Sequence, residues 1–195
     1  METADLYVLE TKARRGQVEL RVENTSSADD EWAIARGSAK PDTQIVLEVR
    51  RGTVFSDFLS TGFYPVVKSS LIKALVGEGI TGWRAYPCSF VGYRVPTQDY
   101  FALGVVGRCK AITFGDKGRR SESVRIENGR RCVYASLLVD LEQWDHTDIF
   151  MEMNQITAHR CVTSRLRTLL AKLRITGVDL LPVEEYEMLT DVLTT

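Results

Sequence analysis

Apolar residues along this chain follow two periods. Leu166, Leu169, Leu170 and Leu173 stand at i, i+3, i+4 and i+7, one face of an α-helix, and Leu71, Ala74 and Leu75 repeat that face earlier in the chain. Short β-branched or alternating runs at 6–9, 18–22, 45–49, 100–106, 111–114, 123–126 and 132–139 read instead as strands, the last four as a meander. Asn128-Gly129 is a hairpin signal, because both central residues of a type I′ turn need positive φ. Gly115-Asp116-Lys117-Gly118 marks a further turn. The polar stretch 24–31 is expected to be a mobile loop, and 183–193 a closing helix.

The two helical faces belong to a longer repeat. Residues 67–88 (VKSSLIKALVGEGITGWRAYPC) align without a gap on 162–183 (VTSRLRTLLAKLRITGVDLLPV). Val67/Val162, Ser69/Ser164, Leu71/Leu166, Leu75/Leu170, Ile80/Ile175, Thr81/Thr176, Gly82/Gly177 and Pro87/Pro182 are identical, and a fixed offset marks a repeated structural unit. Ser69 and Ser164 stand where a side-chain oxygen can accept from the first-turn N–H groups. Gly77 and Gly79 end the first helix, and Arg174 suits the negative end of the second. Ile-Thr-Gly then leads into an apolar run, 83–86 or 178–181, closed by a proline that cannot donate to a ladder.

The predicted unit is therefore helix, turn, strand, present twice and related by a pseudo-twofold within one domain. That domain spans 1–195, with a β-rich part at 1–54 and the repeat-bearing core at 55–195. No low-complexity linker divides it. The fold class expected is α+β, a mostly antiparallel sheet with a few packed helices.

An apolar fraction of 44% with 26% charged residues is that of an ordinary globule. No apolar run reaches the length of a membrane span, and METADLYVLE lacks the basic and apolar regions of a signal peptide, so a cytoplasmic location is expected. Cys88, Cys109, Cys132 and Cys161 are widely spaced, with no Cys-x-x-Cys pair, and read as buried thiols of a reducing compartment. A net charge of −1 argues against direct nucleic-acid binding.

The charge is unevenly spread. Residues 108–131 carry Arg108, Lys110, Lys117, Arg119, Arg120, Arg125, Arg130 and Arg131 against three acidic groups. Residues 140–152 carry Asp140, Glu142, Asp145, Asp148 and Glu152 with no Lys or Arg, and the tail repeats this with Glu184, Glu185 and Glu187.

Catalytic constellations are thin. Asp145, His146 and Asp148 can be drawn as a metal or acid–base cluster, but too few ligands converge and the spacing matches no recognised motif. The alternative is a turn in which Asp145 and Asp148 cap backbone N–H groups while Trp144, Ile149 and Phe150 pack in the core. His159 could pair with a cysteine thiol, yet nothing favours one cysteine over another. The glycines at 77, 79 and 82 follow a helix, the wrong context for a dinucleotide loop. No catalytic residue, cofactor or metal is expected.

Asp57-Phe58-Leu59, then Val66-Val67-Lys68-Ser69 before a helix, then Gly79-Ile80-Thr81-Gly82-Trp83 with Tyr86-Pro87-Cys88, resembles the first block of the imm-eleven immunity proteins of bacterial polymorphic toxin systems. Trp144, Asp148-Ile149-Phe150, Ser164, Thr176-Gly177 and Pro182 resemble the second block. The resemblance covers roughly 55–185; the N-terminal third carries none of it, and Cys88 stands where a valine is expected.

The resemblance implies a non-catalytic cytoplasmic protein that neutralises a cognate toxin encoded nearby, many such toxins being nucleases with basic clefts. An acidic surface would speed association with such a cleft. The toxin-binding face is accordingly expected at Asp140, Glu142, Asp145, Asp148, Glu152, Glu184, Glu185 and Glu187, with the basic region 117–131 as the rival face. Two other readings stay open: a small hydrolase-like enzyme using Asp145, His146 or a cysteine, and an oligomeric scaffold, a homodimer included.

Overall fold

The computed structural model describes residues 6–12, 15–24, 27–40, 42–92, 95–115, 125–127, 130–153 and 159–191, with side chains described outside 114–136 and 187–191. The chain begins with β1 (Leu6–Thr11), β2 (Glu19–Val22), α1 (Ala28–Ala35), β3 (Ile45–Arg51), β4 (Phe58–Ser60) and β5 (Pro65–Lys68). It continues through α2 (Ser69–Gly77), β6 (Trp83–Gly92), β7 (Tyr100–Val105), β8 (Gly107–Cys109), β9 (Ala111–Gly115), β10 (Arg125–Glu127) and β11 (Arg130–Asp140). The last elements are β12 (Ile149–Glu152), β13 (Cys161–Thr163), α3 (Ser164–Lys172), β14 (Val178–Pro182) and β15 (Glu187–Asp191). The fold is α+β and mostly sheet, as expected; only the β3/β6 and β8/β12 ladders are parallel among the named strands.

The repeat is real in three dimensions and larger than 22 residues. Sheet order is β2-β3-β6-β7-β5-β4 in one sheet and β14-β1-β13-β12-β8 in another. The segments β6-β7-β5-β4 and β14-β1-β13-β12 correspond strand for strand. Register agrees as well: Lys68 faces Tyr100 and Trp83 faces Val105 in the first, while Thr163 faces Leu6 and Val178 faces Thr11 in the second. Each half is a strand–helix–strand crossover with an antiparallel strand inserted between its two parallel arms. In the first half that strand, β7, follows directly in the chain. In the second half it is β1, supplied by the N-terminus, so the N-terminal part completes the second copy rather than standing outside it.

Both repeated helices end the same way. Gly79 and Arg174 take φ of 63° and 52°, and the amide of the next residue bonds back to Leu75 O at 2.9 Å or Leu170 O at 3.1 Å. These are Schellman caps, with Ile80 and Ile175 packing at the last turn. Arg174 is thus the left-handed residue beyond the helix; the basic residue of the last turn is Lys172. At the other end the N-caps are Lys68 and Thr163, without side-chain cap bonds, so Ser69 and Ser164 open the helices rather than cap them.

Leu71, Leu75, Leu166, Leu169 and Leu170 meet Val67, Leu103, Leu9 and Val162 in a central core shared by both halves. On the first sheet, Ile34 and Ala35 of α1 pack with Leu20 and Leu47 of the β2–β3 extension and with Val66, Tyr86 and Ala102 in a second core. The outer face of the second sheet is covered by Ile112, Leu137, Val183 and Tyr186.

Four further expectations change. Part of 24–31 is helix start: the Ser27 Oγ accepts from the Asp30 amide, and the acidic first turn that made the stretch look like a loop suits the positive end of α1. Pro87 does not end its strand, because β6 runs to Gly92. Gly82 O bonds to the Val106 amide on the β7 side, so by alternation Pro87 faces away from β7, at a place where no ladder donor is needed before β3 joins at Cys88. Residues 183–185 form a turn and β15 follows, paired to β11, so no closing helix forms in the described part of 183–193. The meander is also divided, since β7, β9 and β10 lie in different ladders; β10 and β11 do form a hairpin, with Glu127 opposite Arg130. Asn128, Gly129 and the 116–118 turn lie outside the described residues.

Candidate interaction surface

The residues that carry the sequence blocks meet in two reciprocal clasps. Asp148 Oδ2 accepts from the Thr81 amide at 3.0 Å, and the Ile149 amide donates to Thr81 O at 3.1 Å. Asp57 Oδ2 accepts from the Thr176 amide at 2.9 Å and its hydroxyl at 2.7 Å, and the Phe58 amide donates to Thr176 O at 2.9 Å. Each half holds the Thr-Gly turn of the other, which is the geometry of a twofold axis. The glycines are required by approach as well as by φ: a Cβ on Gly82 would lie 2.0 Å from Ile149 O, and one on Gly177 2.2 Å from Phe58 O. The second carboxylate oxygen differs. Asp57 Oδ1 pairs with Lys68 Nζ at 2.8 Å, whereas Asp148 Oδ1 accepts from the Thr163 hydroxyl at 2.9 Å. Burial alone would raise the Asp57 pKa, but the Lys68 ammonium and the Thr176 donors bring it below the usual carboxylate range.

The proposed acidic face divides by burial. Asp148 is 6% and Glu152 2% exposed, so neither can line a surface; Asp148 is a clasp and Glu152 accepts from the Ile112 amide at 3.3 Å. Arg165 bonds Asp148 at 3.2 Å, and Lys110 pairs with Asp140 at 3.3 Å and also with Glu142. The run that looked uncompensated is thus partly neutralised, at Asp140, Glu142 and Asp148, by residues distant in sequence. Asp145 is exposed, yet it accepts from the Arg108 amide at 2.9 Å and the Thr147 hydroxyl at 2.6 Å. Asp145 and Asp148 thus accept from backbone N–H groups as the turn reading expected, ahead of β12, with Trp144 and Phe150 in the outer core and Ile149 in the central one. Glu184 and Glu185 are exposed in the turn after β14, and Glu187 pairs through its backbone with Ser136, its side chain lying outside the described ones. Both acidic runs border one core: Leu141 and Trp144 of the first pack with Val183 and Tyr186 of the second.

No side chain of the rival basic face, 117–131, is among the described ones, and Lys117, Arg119 and Arg120 lie outside the described residues altogether. Ahead of it, the Arg108 guanidinium is half-buried and donates to the carbonyls of Val105, Gly107 and Arg36, holding the end of α1. His146 is exposed at φ 61°, its ring 4.8 Å from that of Trp144. His159 meets the Tyr186 ring at 5.4 Å, and burial lowers its pKa. Cys109 and Cys161 are buried and Cys88 is half-buried against the core; burial pushes the Cys88 and Cys109 thiols up to about 12 and raises that of Cys161 as well, while the Cys132 side chain lies outside the described ones.

Among the described residues no group of three or more His, Cys, Asp or Glu could hold a metal ion, and no helix is long and apolar enough to cross a membrane. Compared with models of protein families and with curated proteins, the chain matches none.

Sequence reasoning missed the clasps, although their signal was present. Asp57-Phe58 and Asp148-Ile149 precede the two repeats, displaced from the constant offset by an insertion before β13. The pairings of Lys110 and Arg165 leave no local signal at all.

Proposed function

We propose that this chain is a cytoplasmic immunity protein that binds and neutralises a cognate toxin of a bacterial polymorphic toxin system, by occupying it rather than by catalysis. One observation carries the reading. Among the residues that carry the family resemblance, Asp57, Thr81-Gly82, Asp148 and Thr176-Gly177 clasp the two halves together. The shared motif is then a scaffold device, and partner choice is left to a surface that varies without disturbing it.

Co-expression with the product of the adjacent gene tests the reading, by pull-down and by rescue of growth. A stable complex that restores growth is the expected result. Turnover of a substrate by the purified chain, or toxicity unrelieved by its expression, would overturn it.

A further inference from the structure

Among the described residues, β14 stands at the edge of the five-stranded sheet. Gly177 O and the Val183 amide bond to Lys12 and Leu6 beside β1, so by antiparallel alternation the odd-numbered residues of β14 face β1. The amides of Val178 and Leu180 and the carbonyls of Val178, Leu180 and Pro182 therefore point to the open side. Pro182 has no N–H to leave unmade there.

Folded proteins blunt such edges with charge, brevity or bulges. In the six-stranded sheet the edge strand β2 follows that rule, with Glu19 and Arg21 paired to Arg51 and Glu23 and a register shift beside Glu19. β14 instead carries Val178, Leu180 and Leu181, and its one charge, Asp179, is tied to Lys12 at 2.8 Å. Leu181 is 37% exposed. In the other half the matching strand does not end the sheet: β6 continues past Pro87, and that continuation takes β3 as a parallel neighbour.

We propose that the open edge of β14 is the partner-docking site, and that its occupant is an extended, basic segment of the partner protein added as a further strand. Main-chain bonds would supply the affinity and alternate side chains the selection. Charge chooses the occupant: Glu184 and Glu185 are exposed immediately beyond the edge, and Asp179 lies on it. This rests on the binding-protein reading above, and it moves the docking site away from the Asp148 and Glu152 region.

Amide hydrogen exchange on the full chain, alone and in the complex with the neighbouring gene product, reads the site directly. Protection should rise at Val178 and Leu180; protection confined to 140–148 overturns the proposal. Val178→Pro removes one outward donor without touching the β1 ladder, and Leu181→Lys sets a like charge against a basic strand. Each should weaken capture about tenfold or more, the scale of one or two lost hydrogen bonds. Leu181→Lys, at an exposed site, keeps the test alive if Val178→Pro does not fold, and unaltered capture by it overturns the proposal.

A fluorescent peptide of alternating lysine and valine gives a readout that needs no partner. Saturable binding to the parent chain, lost in the variants and absent for a glutamate–valine peptide, supports the edge. If that peptide binds and no partner is recovered, the immunity reading fails and the edge stands. If the complex forms with exchange at β14 unchanged, the reverse holds. A parent chain that sediments as a dimer, dissociated by Leu181→Lys, would make a second copy the occupant and overturn the proposal.

Discussion

The two halves share four strands, one helix, one helix cap and one clasp, yet they are wired differently. β7 follows β6 within the first half, whereas β1 reaches the second from the far end of the chain. Their clasps use the same Asp-to-Thr geometry but different supports, Lys68 on one side and Thr163 with Arg165 on the other. The common features are those that close the shared core. The differences lie toward the outside, where one sheet is extended by β3 and β2 and the other stops at β14. The central core and the clasps belong to what the copies share, and the sheet edges to what they do not.

The severest way to break the equivalence is to thicken a turn at the axis. Gly82→Ala and Gly177→Ala each force a Cβ against a carbonyl of the opposite half at positive φ, and should cost about 4 kcal/mol or more. Urea unfolding of the two variants should give matching losses; a loss in only one would show that the axis is not equally tight on both sides.

Leu71→Ala and Leu166→Ala open equivalent voids in the central core and should each cost about 3 kcal/mol. Because both leucines line one cluster, thermal melts of the double variant should reveal a single cooperative transition. Two separated transitions would mean that the halves fold as independent units.

The clasps differ more. Asp148→Ala strips a buried site of its bonds to Thr81, Thr163 and Arg165 and should cost about 3 kcal/mol, against about 2 kcal/mol for Asp57→Ala at its less enclosed site. A carboxyl whose pKa is lowered by folding adds stability that is complete above its unfolded pKa, about 3.9, and disappears as pH falls through the folded value. Asp57→Asn should therefore flatten the acid limb of the stability curve below about pH 4. An unchanged limb would count against the Lys68 and Thr176 contacts.

The mildest test runs in the stabilising direction. Arg174 occupies the left-handed cap position that its counterpart fills with Gly79, so Arg174→Gly should add about 0.5–1 kcal/mol, measured by denaturant midpoint. Gly79→Arg should lose a similar amount, since Gly79 has room for a Cβ.

Much of the repeat was legible in sequence because its determinants are close together. The i, i+3, i+4 leucines, the Ile-Thr-Gly turn and the paired prolines act within one helix or one turn, and they located both copies. The strands at 6–9 and 45–49 were legible for the same reason. Two members of the acidic run, Asp148 and Glu152, do not reach the surface because burial is not a property of composition: they carry the same charge as Glu184 and Glu185, and only packing separates them. The 183–193 segment was misread because its pairing with β11 outweighs its local preference.

Sequence alone determined the two repeated helices, most strands and the existence of a duplicated unit, since those follow from side-chain spacing and backbone freedom over a few residues, but not α1 or the strand at 187–191. Tertiary structure decided that β1 belongs to the second copy, that each half holds the turn of the other, that Lys110 and Arg165 neutralise distant carboxylates, and that β14 is left as an edge. Each of those depends on which segments far apart in the chain exclude water from one another, a choice settled by the packing of the whole molecule rather than by any stretch of it.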